Sequence, residues 1–440
     1  MLRFLKATGS IVLLAILGVV LWLNFKPPEL LKVGTGYAAK IVCSNVFLAH
    51  RDAAAVLADD VQAPGHPLLK YLSVSVNTAH QSVTAHIFGF FAPSTAVYRP
   101  GLGCANIHDE DLRPDLQIPA DAVARISDVD INPSIQSVVE NPALAGPGMR
   151  AIAVLKDGKI IAETYGKGFD ATTPLLGWSM TKSIMSTLIG MRIAEGRMSQ
   201  LRDHLLPEWN NDDRAKITLA DLMAMESGLK FDEDYGNVTD VTRMLFLENN
   251  MTDFAASLPL EASPGTKFNY SSGTANILSK LYMESFDNPK DAFAYAQKAL
   301  FEPLGIASAT LEADASGIYV GSSYLYANAR DWLYFAQFLL ENGRVGEKQL
   351  LPNDFVNFMR QPSKASQGRY GSAQVWLQSA GVLVGTEGIP ADAFWISGHD
   401  GQSILIVPSM QLAIVRLGLT PSRTGYKVPE LQEAIIKALH

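Results

Sequence analysis

The sequence predicts an α+β protein, and three observations carry that prediction. Runs with β character stand at 149–165 and again at 372–378, 392–397, 402–407 and 411–418. A largely helical stretch, 198–365, lies between them, and an amphipathic helix closes the chain at 428–440. Strands at both ends of one region, with helices inserted between, are most economically joined as one mainly antiparallel sheet. The terminal helices then cover one face and a helical subdomain the other.

The chain begins with Arg3 and Lys6 before an uncharged run, Ala7 to Phe25. Nineteen helical residues span about 28 Å, close to the ~30 Å hydrocarbon core. A cleaved signal peptide is the alternative. No Ala-x-Ala follows the apolar core, and the chain continues Lys26-Pro27-Pro28, so an uncleaved anchor over 1–28 is the expectation. Residues 29–60 read as helical and 69–99 as strands, with Leu72-Ser73-Val74-Ser75-Val76 alternating. Residues 29–132 thus form a small α+β extension and linker, and the acidic run Asp109-Glu110-Asp111 reads as solvated linker. Cys43 and Cys104 are the two cysteines, in no metal-binding spacing. In an exported chain they read as one disulfide, and as buried free thiols otherwise. Anchor and cysteine pair together predict an inner-membrane protein, single-pass, with residues 133–440 facing the periplasm.

Asn132-Pro133 supplies an N-cap and a first-turn proline for a short helix. Two β-rich runs flank Lys156-Asp157-Gly158, which signals a hairpin. Helices are expected at 218–226, 238–249, 272–285, 290–300, 328–342 and 352–361. Composition is that of a globular protein: 440 residues, 48% hydrophobic, 18% charged, net charge −8. With no basic patch, nucleic acid is set aside as a partner. Oligomeric state is not legible.

Gly177-Trp178-Ser179-Met180-Thr181-Lys182-Ser183 precedes an apolar helical run. A serine and a lysine three apart share one helix face, and a serine at a helix start presents a free N–H. Nucleophile, base and half of an oxyanion hole can thus come from four residues. The eight histidines stand in no zinc motif, and no Gly-x-Ser-x-Gly elbow exists. Lysine is therefore the better base, provided burial lowers its pKa from ~10.4 toward ~7–8. Tyr270-Ser271-Ser272, at a loop-to-helix junction, can project a phenol and a hydroxyl into a cleft. Ile396-Ser397-Gly398-His399-Asp400-Gly401-Gln402 has two glycines that allow close backbone approach.

Ser-Met-Thr-Lys, then Tyr-Ser-Ser, then a Gly-rich strand segment resembles the serine β-lactamase and penicillin-binding-protein superfamily. Within it the chain is most similar to the class C-like branch of esterases and 6-aminohexanoate-dimer hydrolases. Leu222–Leu229, Phe231–Tyr235 and Tyr370–Trp376 match that style. The resemblance covers roughly 133–440 and implies a β-lactamase/transpeptidase-like fold with no cofactor or metal. It implies Ser179 as acylated nucleophile, Lys182 as base and Tyr270 as proton relay. Ser179 N–H would be one oxyanion donor. The other depends on register: His399 N–H if Ile396-Ser397-Gly398 is the third motif, Gln402 N–H if His399-Asp400-Gly401 is. The first is preferred. Tyr235 would line the acyl cleft. In the preferred register no Lys or His side chain holds a substrate carboxylate, which points from β-lactams toward small-molecule amides or esters. A β-lactamase or D-alanyl peptidase is the enzymatic alternative, and an inactive envelope scaffold the alternative of another class.

Overall fold

The computed structural model describes residues 2–63, 65–108, 123–125, 127–378 and 388–440. The acidic run Asp109-Glu110-Asp111 lies outside them. The chain divides into two compact units.

The first unit comprises residues 1–98, 104–112 and 234–249. It opens with α1 (Leu2–Phe25) and α2 (Glu29–Phe47). Pro27 and Pro28 separate them, since proline offers no N–H and crowds the preceding turn. Among the described residues no single helix is long and apolar enough to cross a membrane. Leu13–Phe25 and Glu29–Phe47, bent by 54°, pass that length and composition test only as a pair. The second member of that pair is largely buried, with Ala38, Ala39, Ile41 and Val42 inside. It packs on an antiparallel sheet of β1 (Leu72–Asn77), β2 (Ser82–Ile87), β3 (Phe91–Arg99) and β4 (Gly103–Ile107). A Cys43–Cys104 disulfide, Cα–Cα 6.1 Å, joins α2 to β4. The helix Asp240–Leu247, expected within the helical subdomain, belongs to this unit.

In the second unit α3 (Pro133–Val139) starts where Asn132 Oδ1 accepts the N–H groups of Ser134 and Ile135. The hairpin of β5 (Met149–Lys156) and β6 (Lys159–Tyr165) turns at Asp157 and Gly158, both at positive φ (51° and 80°). That pair of conformations matches the twist of the flanking strands. Next come α4 (Thr181–Ala194), α5 (Ser272–Glu284) and α6 (Ala329–Leu340). The chain ends with β7 (Phe394–Ser397), β8 (Ser403–Val407), β9 (Leu412–Gly418) and α7 (Val428–Leu439). The five-stranded sheet has the order β7-β8-β9-β5-β6, antiparallel throughout.

Ile152, Val154, Leu405, Leu412 and Ile414 face Ile135 and Val139 of α3 and Leu431, Ile435 and Ile436 of α7. The opposite face lies on α6. Because both faces are covered, β8 and β9 are buried at every residue and read as continuous apolar runs rather than alternating ones.

Residues 372–378 are not a strand. Gln374 takes φ 60° and its side-chain NH2 donates to Met223 O at 2.9 Å, which folds the segment back on itself. Tyr370 then pairs with Trp376, and Trp376 alone pairs with Trp395 on β7. The helix Met251–Ser257 was not anticipated. The helix expected at 290–300 is α-helical over Pro289–Tyr295 and continues as a π-helical stretch, Ala296–Phe301.

Candidate active site

Ser179 stands in a single 3₁₀ turn, Trp178–Met180, that feeds α4. Trp178 takes φ 49° there, a left-handed conformation unusual for a large side chain. Two bonds through Thr181 hold it. Thr181 Oγ1 donates to Trp178 O at 2.7 Å and accepts from Leu325 N at 3.1 Å. Met180 and Thr181 are buried and Ser179 remains partly exposed, so the turn offers its hydroxyl outward.

Lys182 lies one turn on and is 1% exposed. Its Nζ reaches Ser179 Oγ at 3.0 Å, Ser272 Oγ at 3.1 Å and the carbonyl oxygen of Ser322 at 2.9 Å. Burial pushes its pKa down to about 8, against a smaller opposing pull from the Glu233 carboxylate. The neighbours are themselves fixed. Ser322 N–H donates to Asn276 Oδ1 of α5 at 3.2 Å. Ser272 opens α5, and its N–H and O–H both donate to Glu233, at 2.7 and 2.6 Å. A carboxylate suits that position, where helix N–H groups lack intrahelical acceptors and the dipole is positive.

The proton of Ser272 is therefore committed to Glu233, and its oxygen can only accept from Lys182. Ser322 O, a carbonyl, can likewise only accept. When Lys182 is neutral, its two N–H bonds go to these two acceptors and its lone pair faces the remaining neighbour, Ser179. When charged, the third N–H points there instead. The arrangement aims the lysine's proton-accepting orbital at the serine hydroxyl.

Tyr270 closes the cluster. Its ring lies under Lys182 Nζ, 4.8 Å from the centroid, and packs on Tyr370 and Trp376 at 5.8 and 5.1 Å between centroids. Burial, and after it the Glu233 charge, raises its pKa well above the usual phenol range, so it is protonated at neutral pH. Hydrogen bonds from Ser179 and Trp376 act the other way.

Gly398 brings the third segment in. A Cβ there would fall 2.2 Å from Gly177 O, so only glycine lets the end of β7 approach the turn before Ser179. His399 follows in a 3₁₀ turn, its ring edge-on to Trp178 at 5.9 Å and its side chain 40% exposed. Gln402 is turned into the sheet. Its side chain accepts from Gly418 N at 2.8 Å and donates to Gly418 O, and its own N–H meets His399 O at 3.5 Å. Tyr235 is partly buried in a loop of the first unit, whereas Ser179, Lys182 and Tyr270 belong to the second. Ser272, Glu233 and Trp376 received no role from the sequence. The signal for the first two lay inside quoted stretches, Tyr270-Ser271-Ser272 and Phe231–Tyr235, but their partnership appears only once α5 is packed. Among the described residues no three His, Cys, Asp or Glu side chains gather as a metal site.

Residues 139–427 match the Beta-lactamase family, and the chain belongs to it. Proteins of this fold are generally serine hydrolases, and the sequence resemblance to the serine β-lactamase and penicillin-binding-protein superfamily holds. No curated protein matches the chain. Among solved structures, a Bacillus anthracis protein described as a candidate 6-aminohexanoate-dimer hydrolase is 20% identical over 74% of this chain and 89% of its own, with TM-score 0.58. A family VIII carboxylesterase is 14% identical over 70% and 97%, with TM-score 0.52. EstCE1, a hydrolase with promiscuous acyltransferase activity, is 15% identical over 70% and 97%, with TM-score 0.54. At these identities the likeness is one of fold.

Proposed function

We propose that the protein is a membrane-anchored serine hydrolase that cleaves small amides or esters through an acyl-enzyme. The supporting observation is the saturation of Lys182 by two acceptors, Ser272 Oγ and Ser322 O, which leaves its lone pair for Ser179. Lys182 takes the Ser179 proton as Oγ attacks the carbonyl carbon. Negative charge develops on the carbonyl oxygen, where the Ser179 and His399 N–H groups are the proposed donors. Tyr270, protonated at neutral pH, donates its proton to the departing amine or alcohol as the acyl-enzyme forms. Lys182, which holds the proton taken from Ser179, reprotonates Tyr270. Water then enters, gives one proton to Lys182 as its oxygen adds to the acyl carbon, and that proton returns to Ser179 Oγ as the acid is released.

The third segment reads Ile396-Ser397-Gly398, with no cation where a β-lactam carboxylate would be held. That favours uncharged acyl groups over β-lactams. The N-terminal apolar helix serves as the inner-membrane anchor, and the Cys43–Cys104 disulfide is consistent with an oxidising, periplasmic side. The test is a screen of short amides and p-nitrophenyl esters on the purified protein, with Ser179→Ala as control. Turnover lost in the variant, with phosphonate labelling of Ser179 in the native chain, is the expected result. Turnover unchanged in the variant overturns the reading. Rapid labelling by a fluorescent penicillin overturns the substrate preference.

A further inference from the structure

Within the first unit, α2 and β3 run in the same direction. Thr35 Oγ1 near the start of α2 meets Ser94 Oγ near the start of β3 at 2.9 Å, and Phe47 at the far end of α2 stacks on Tyr98 at 5.6 Å. Glu29 and Phe91 therefore mark one end of the unit. Leu69 belongs to that end, since a Cβ on Gly34 would lie 3.4 Å from its Cδ2. So does the β2–β3 turn, because Phe88 N–H donates to Tyr71 O at 3.0 Å. This is also the end at which the chain arrives from α1, three residues before Glu29.

The same end exposes Tyr71, Phe88 and Phe90 at 57%, 46% and 57%, with the Tyr71 and Phe88 rings 5.1 Å apart. Gly89 lies between the two phenylalanines at φ 89°, which turns the chain tightly and sets both rings at its tip. Lys26, Lys32 and Lys70 are exposed alongside, Glu29 is paired with Arg243, and the Glu248 carboxyl lies close to both. The opposite end, the β1–β2 turn at Thr78-Ala79-His80-Gln81, is polar and carries no large apolar side chain. Aromatic rings flanked by lysines, next to an apolar helix, have the composition of a membrane–water interface.

We propose that this end of the first unit is a membrane-contacting face. Phe88 and Phe90 enter the headgroup–acyl boundary, Tyr71 lies at headgroup level, and Lys26, Lys32 and Lys70 meet anionic headgroups. The occupant of the patch is the bilayer into which the N-terminal helix leads, so the inference rests on the membrane part of the function proposed above and not on its chemistry.

The full chain with Phe90→Cys is labelled with a nitroxide and reconstituted into phosphatidylcholine vesicles containing phosphatidylglycerol. The two native cysteines are joined in a disulfide and do not compete for the label. Thr78→Cys is the control. The expected result is a several-fold higher oxygen-to-nickel accessibility ratio at 90 than at 78 in the vesicle-bound chain. A vesicle-bound chain whose label at 90 is as aqueous as at 78 overturns the face while leaving the anchor standing. A label at 90 shielded from both reagents overturns it in favour of a protein partner or a second copy. A native chain that does not float with vesicles overturns face and anchor together, and hydrolysis of esters by that chain leaves the catalytic reading intact.

Discussion

Ser272 donates its hydroxyl proton to Glu233 at 2.6 Å and accepts from Lys182 at 3.1 Å. Through Ser272, Glu233 thereby steers the aim of Lys182. Its negative charge raises the lysine pKa, while burial lowers it to about 8.

In the proposed mechanism the active form carries neutral Lys182. Activity is therefore lost as pH falls through about 8, with kcat/KM dropping tenfold per pH unit well below that value. Glu233→Gln removes an anion that favours the charged lysine, so the acid limb moves to lower pH. The weaker hold on Ser272 costs the plateau about 10–100-fold, in line with the loss of a charge-assisted bond. A pH–rate profile of both proteins with p-nitrophenyl acetate decides it. An unmoved limb sinks the assignment of Lys182 as base, and Glu233→Asp is expected to restore part of the plateau.

Tyr270→Phe keeps the ring contacts with Tyr370 and Trp376 and removes only the hydroxyl. Amide turnover is expected to fall about 10²–10⁴-fold. A p-nitrophenyl ester should suffer much less, because its leaving group departs without a proton. Paired kcat measurements on an anilide and its ester analogue test this. Equal losses on both would show that the hydroxyl positions Ser179 rather than protonating the leaving group.

Much of this site was legible because its parts are local. Ser179 and Lys182 are a helical pair, and Tyr270 stands beside the start of its own helix, so residue type and spacing made them candidates and the motif order that resembles the serine β-lactamase superfamily selected them. Glu233 was not, because an acidic residue in Phe231-Asp232-Glu233-Asp234 has no partner until α5 packs near it. The strand expected at 372–378 failed for a related reason. Tyr370, Val375 and Trp376 have strand-forming side chains, but Gln374 is drawn to Met223 O and turns the chain. The sheet itself was readable because strands buried on both faces leave uninterrupted apolar runs. The division of 234–249 from the helices around it was not, since it depends on contacts with residues near the N-terminus.

Gly398→Ala would set a methyl 2.2 Å from Gly177 O. Backbone on both sides leaves little room to yield, so about 1–3 kcal/mol of strain is expected. The end of β7 should shift from the Ser179 turn, lowering kcat by about tenfold or more with the protein still folded. Circular dichroism with steady-state kinetics checks it, and undiminished kcat would remove the third segment from the site.

Reduction of Cys43–Cys104 releases α2 from β4. Restoring that freedom to the unfolded chain costs about 2–4 kcal/mol. Calorimetry with and without reductant should show a transition of the first unit lowered by roughly 10 °C or more. An unchanged thermogram would mean that the sheet packing alone holds α2.

β9 pairs with β5, so the central sheet joins residues 149–156 to residues 412–418. Such a pairing carries a large loop-closure entropy and comes late in folding. Synthesis therefore delivers the serine, the lysine and the tyrosine long before the strands that complete their support. The nascent chain has no finished sheet until its C-terminal strands emerge. For a chain proposed to cross a membrane, that delay would keep the polypeptide threadable until translocation is nearly done, and the proposed hydrolase would switch on only after arrival.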